Sequence, residues 1–96
     1  MDASQPTRQK EAESQGAIQL ESMFQVVLFN DDHNSMEYVV LCLMHVFGHP
    51  MALAAKIMHE AHERGRAIAE VESETLARGH RDELQTHGLV ATIEQI

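Results

Sequence analysis

The order of apolar runs along this chain predicts an α+β fold. The expected form is a small sandwich, a three-stranded antiparallel sheet packed on three helices in the order β-α-α-β-α-β. Three observations lead there. Met23–Phe29 holds six apolar residues in seven, the composition of a strand buried on much of both faces. Two helical-period runs then follow, each closed by a glycine, Gly48 and Gly65. Two shorter strand-like runs, Arg66–Glu72 and Leu89–Glu94, flank a third, polar helix.

The first strand puts Phe24, Val26 and Leu28 on one side and Gln25, Val27 and Phe29 on the other. Burial on both sides makes it central in its sheet. After it stands Asn30-Asp31-Asp32-His33-Asn34-Ser35-Met36-Glu37, where strand turns into helix. Asn34 is expected as the N-cap, with Glu37 three positions on to bond back to its amide. The helix, about Ser35–Phe47, spaces Met36, Val39, Val40, Leu43 and Phe47 along one face, expected to pack on the sheet. Gly48-His49-Pro50 ends it and lets Pro50 open the next.

That second helix, about Pro50–Arg64, carries Ala54, Ile57, Met58 and Ala61 on a common stripe, with Met58 and His62 as surface neighbours four apart. Arg66–Glu72 reads as a strand through Ala67, Ile68, Ala69 and Val71. Glu74–Thr86 reads as a solvated helix supported by Glu74/Arg78 and Arg78/Asp82 pairs. Gly88 caps it, and Leu89, Ala91 and Ile93 face one way in the last strand. Met1 to Ser22 is polar, with almost no large apolar side chain before Ile18. Such a segment cannot bury enough surface to offset its ordering entropy, so residues 1–22 are expected to be a flexible tail and 23–96 the one domain.

Seven Lys and Arg against fifteen Asp and Glu give a formal net charge of −8. That balance repels phosphate backbones and anionic membranes, arguing against nucleic acid and membrane partners. It suits a cationic partner, and a free α-amino group is a small cation. The lone Cys42 sits inside an apolar helical run, where it reads as a small buried hydrophobe in a reducing compartment. No apolar run approaches the roughly 18–20 residues of a membrane span, and no signal-peptide core opens the chain, so the expected location is cytoplasmic.

Asn-Asp-Asp is also ordinary turn chemistry, because Asx side chains bond their own backbone. His59-Glu60-Ala61-His62-Glu63 looks at first like a zinc-protease helix, but its histidines are three apart where that motif needs four. No third ligand is fixed by spacing, so no metal and no cofactor is expected. Asp31 and Asp32 lack a nucleophile or a phosphate loop beside them, so the chain does not read as an enzyme.

Leu28-Phe29-Asn30-Asp31-Asp32, then Met36-Glu37-Tyr38-Val39-Val40, then Met58-x-x-x-His62-x-x-Gly65 resembles the ClpS adaptor family, over about Met23 to Glu94. The resemblance implies recognition of an N-degron, a destabilising N-terminal residue (Leu, Phe, Tyr or Trp), and its delivery to a Clp AAA+ unfoldase of the ClpA or ClpC type. It implies that Asn30, Asp31 and His62 hold the α-amino group. It further implies a side-chain pocket at Asp32, Asn34, Met36, Val39, Met58, Ala61 and Leu89, with Met36 a gate against β-branched residues. A disordered N-terminal extension would engage the unfoldase pore, and the adaptor is expected to be a monomer. Departures from the family pattern are Asn34-Ser35 in place of a frequent Thr-Pro, the small Ala61, no Cys-Gly after Gly65, and a shorter third helix. A chain that keeps the fold and the docking but has altered or lost N-degron specificity is the rival reading.

Overall fold

The computed structural model describes residues 23–96; the expected tail, residues 1–22, lies outside the described residues. Strand β1 (Met23–Phe29) is followed by helices α1 (Met36–Phe47) and α2 (Met51–Arg64). Strand β2 (Arg66–Ser73), helix α3 (Glu74–Thr86) and strand β3 (Ala91–Gln95) complete the order. The sheet runs β2-β1-β3 with both pairings antiparallel, which is the expected α+β sandwich with β1 at its centre.

Val26, Val27 and Leu28 are all buried, as the doubly apolar β1 requires. Val26 and Leu28 join the main core with Leu43, Ala54, Ile57, Ala61, Leu84 and Leu89. On the opposite face, Arg66 of β2 donates to Glu94 of β3 at 2.7 Å. Their register partners are Phe29 and Gln25, so the bridge crosses the sheet on the side to which Val27 points. A bulge between Val26 and Val27 leaves Ala69 unpaired in β2 and re-phases that strand. Beyond it Glu72 meets His80 of α3 at 2.6 Å, and Val71 is left exposed.

Four local expectations need correction. The N-cap of α1 is Ser35, whose hydroxyl accepts from the Tyr38 amide at 3.1 Å. Asn34 cannot serve, because its own amide donates to Asp31 and is no longer free for Glu37. Of the expected α1 face, Leu43 is in the core and Val39, Val40 and Phe47 pack against it. Met36, however, is 42% exposed, and the buried residues of the helix are Cys42, Leu43 and Val46. The reason is that α1 packs mainly on α2 and α3 rather than flat on the sheet, which rotates the covered face. In α3, Arg78 bonds Glu74, while Asp82 is taken by Arg81. The last strand starts at Ala91, and Leu89 precedes it as a buried core residue. The α2 stripe of Ala54, Ile57, Met58 and Ala61 is buried as the spacing predicts.

Candidate functional site

The site forms where three chain segments meet at the carboxyl end of β1. The Phe29 amide donates to the Val90 carbonyl at 2.9 Å, and the Asn30 amide to the Gly65 carbonyl at 3.0 Å. Gly65 is the left-handed cap of α2, with φ 89°. It holds the last turn of α2, which carries His62, against the first loop residue. The Asn30–Gly65 backbone bond thus joins the segments that carry Asn30 and His62, and both residues line one cavity.

Asp31 then organises the loop. Its Oδ1 accepts from the amides of His33 and Asn34, both at 2.9 Å, and from the Asn34 side chain at 3.2 Å. This is an Asx turn, the behaviour that puts aspartate in such loops. Oδ2 takes only a long 3.4 Å contact from Asn34. An ionised carboxylate offers about four acceptor positions, so this oxygen keeps acceptor capacity toward a ligand. Burial pushes the Asp31 carboxyl up, but the Asn34 and His33 amides, the Asn34 side chain and the nearby His33 charge outweigh it. The net effect holds the group below its ordinary value, so it is an anion at neutral pH.

The second hydrogen of the Asn34 side-chain amide goes to the Gly88 carbonyl at 3.0 Å. Tyr38 Oη donates to the His87 carbonyl at 2.7 Å. These two bonds tie the turn after α3 to the loop and to the first turn of α1. The acidic loop therefore has a fixed conformation, anchored by Gly65 on one side and by residues 87 and 88 on the other.

Beneath the loop lies a cavity of about 270 Å³. Asn30, Asp31, Asp32, Asn34, Met36, Val39, Met58, Ala61 and His62 line it, which is every candidate residue except Leu89. Leu89 stands in the core, 3% exposed, and is not among the lining residues. Leu28, Phe29 and Ser35 line the cavity as well. Sequence reasoning left these three out, although their position at the junction of strand and cap was itself a signal. The arrangement is a polar rim of amide, carboxylate and imidazole above an apolar wall, suited to a small cation attached to a greasy group. Cys42 plays no part in the rim. Its thiol is buried, burial pushes it up, and a hydrogen bond with Tyr38 acts the other way.

The family model for the ATP-dependent Clp protease adaptor protein ClpS matches residues 19–92. The chain belongs to the ClpS family. It is 34% identical over 90 residues to the chloroplastic ATP-dependent Clp protease adapter protein CLPS1 of Arabidopsis thaliana, covering 93% of this chain and 57% of that one. It is 40% identical over 55 residues to the ClpS adapter of Leptothrix cholodnii, covering 57% of this chain and 48% of that one. The chain thus spans about half the length of these relatives. Among solved structures it resembles Agrobacterium tumefaciens ClpS2 bound to L-phenylalaninamide, with TM-score 0.76 and 27% identity. That match covers 79% of this chain and 99% of the other. The ClpS relatives are adaptors by name, and among the described residues no helix is long and apolar enough to cross a membrane.

Proposed function

We propose that this ClpS-family chain is an N-degron adaptor that binds the first residue of a substrate and hands the substrate to a Clp AAA+ unfoldase. One observation carries the reading: an amide, a carboxylate held as an anion and an imidazole share the rim of a single apolar-walled cavity. A free α-ammonium has three donors and one positive charge. Asn30, Asp31 and His62 offer it an amide oxygen, an anionic oxygen and a ring nitrogen. L-Phenylalaninamide, the ligand of the Agrobacterium relative, joins that same ammonium to a large hydrophobic side chain.

The side chain of the first residue enters between Met36, Val39, Met58 and Ala61, with Asp32 and Asn34 at the rim and Leu89 in the core behind. Hydrogen bonds to a charged group contribute roughly 1.5–3 kcal/mol each. Burying a Leu or Phe side chain contributes about 1.5–3 kcal/mol more. After the cost of association these terms lead to micromolar binding, about −8 kcal/mol.

Fluorescence titration with peptides that differ only at their first residue tests this. Phe- and Leu-initiated peptides bind; a Gly-initiated peptide and an N-acetylated Phe peptide do not. Undiminished binding of the acetylated peptide refutes the amine grip. Equal binding of the Gly peptide refutes the side-chain pocket.

A further inference from the structure

Away from the cavity, the carboxyl ends of two helices meet. His45 stands in the last turn of α1, Glu83 in the last turn of α3, and His87 is the residue that caps α3. One ligand atom from each lies within 4.8 Å of the others, with His45 Nε2 4.0 Å from Glu83 Oε2. The two imidazole rings stand edge to face, 5.6 Å between centroids. No other group of three His, Cys, Asp or Glu among the described residues comes together this way.

We propose that His45, Glu83 and His87 form a binding site for a divalent transition-metal ion of the zinc type. Two imidazoles and one carboxylate are a donor set for zinc, copper or nickel, whereas calcium and magnesium ask for oxygen alone. Zinc bonds of about 2.0–2.1 Å in a tetrahedron put donor atoms roughly 3.3 Å apart. The present spacing closes to that by rotation of side chains free to move, since that of His45 is 71% exposed and that of Glu83 44%. Glu83 in the last turn of α3 and the capping His87 come from one short segment and already stand with their ligand atoms close together.

Two further features favour a cation here. Both α1 and α3 direct their negative dipole ends at this point. The Tyr38 bond to the His87 carbonyl already fixes the backbone of one ligand, so less order is lost on binding. Three protein ligands leave a fourth position for water. The bound ion fastens the end of α3 to α1 and steadies the turn whose Gly88 carbonyl holds Asn34. It acts as a structural staple away from the cavity, at the turn that anchors the loop, and stands whether or not the cavity takes an N-degron.

Zinc chloride titrated into the full chain by calorimetry tests the site, with thermal unfolding followed in zinc and in chelator. One ion binds per chain, and zinc raises the Tm. The variants His45→Gln and His87→Gln each bind zinc at least about tenfold more weakly, since even a partner one shell further out contributes 10–100-fold. Both lose the Tm rise, and circular dichroism verifies that they are folded. His59→Gln, on the exposed side of α2, keeps wild-type zinc binding. Imidazole NMR signals of His45 and His87 move with zinc. Binding no tighter than millimolar, or zinc affinity that survives in His45→Gln and His87→Gln, or affinity lost in His59→Gln, overturns the assignment.

Discussion

The Asn30 amide donates to the Gly65 carbonyl at 3.0 Å, joining the end of the central strand to the cap of α2. This single bond brings the acidic loop and the last turn of α2 to one cavity. It depends on Gly65 holding φ 89°, a left-handed conformation that L side chains resist. An added Cβ meets nothing within 4 Å, so backbone strain is the whole effect of adding one. Gly65→Ala should cost about 1–2 kcal/mol in urea unfolding. It should also weaken Phe-peptide binding, because relieving the strain turns the Gly65 carbonyl away from Asn30. Unchanged stability removes the strain argument; full peptide affinity separates Gly65 from the site.

Asp31 carries the only carboxylate of the rim that the loop itself fixes. Asp31→Asn keeps the shape and removes the charge, so Phe-peptide affinity should fall by about tenfold or more, the loss of one charged hydrogen bond. Stability has a signed pH dependence as well. The folded carboxyl lies below its ordinary value of 3.8. Its contribution is therefore complete above that value and is lost as pH falls through the lower folded value. The stability gap between wild type and Asp31→Asn should be largest above pH 3.8 and shrink with acid below it. Urea titrations across that range read this directly, and a gap that grows with acid reverses the sign and rejects the account.

The fold was legible in the sequence because its strongest signals are local. The seven-residue β1 and the glycines at 48 and 65 fixed the strand and both helix ends, and Glu74–Thr86 coincides with α3. What sequence could not supply was competition for the same groups. Asn34 and Ser35 are equally good caps by residue type, and only the Asp31 turn, which takes the Asn34 amide, decides for Ser35. The face of α1 was legible only in part for a similar reason. Val39, Val40, Leu43 and Phe47 do meet the core, but the neighbours α2 and α3 bury Cys42 and Val46 more fully and leave Met36 exposed. Nine of ten candidate residues came together because the loop, the start of α1 and the end of α2 each contribute a short piece of the wall. Leu89 lies across a turn whose placement rests on the Asn34 and Tyr38 bonds, which no spacing reveals.

Cys42 should be inert in the native protein. Cys42 is 6% exposed and burial pushes its pKa up, so both access and thiolate fraction are low. Alkylation by iodoacetamide should be at least about a hundredfold slower than in urea, since opening the core costs several kcal/mol. Labelling followed by mass spectrometry measures it. Rapid native labelling contradicts the packing of α1 against its neighbours.

Ala61 sets the depth of the cavity from the α2 side. Ala61 lines the space and is only 3% exposed, so a larger side chain there adds atoms at the cavity wall rather than in solvent. Ala61→Leu adds apolar atoms where about 270 Å³ is open. Stability should hold within about 1.5 kcal/mol, because the new atoms fill space without forcing neighbours apart. Affinity should change with the size of the first residue. Phe- and Trp-initiated peptides lose the room they need and should weaken by about tenfold, roughly half of what burying such a side chain contributes. Leu-initiated peptides should lose less. A folded Ala61→Leu variant that binds Phe, Trp and Leu peptides with wild-type affinities would mean that the first side chain lies elsewhere, and that the cavity beneath the loop is not its seat.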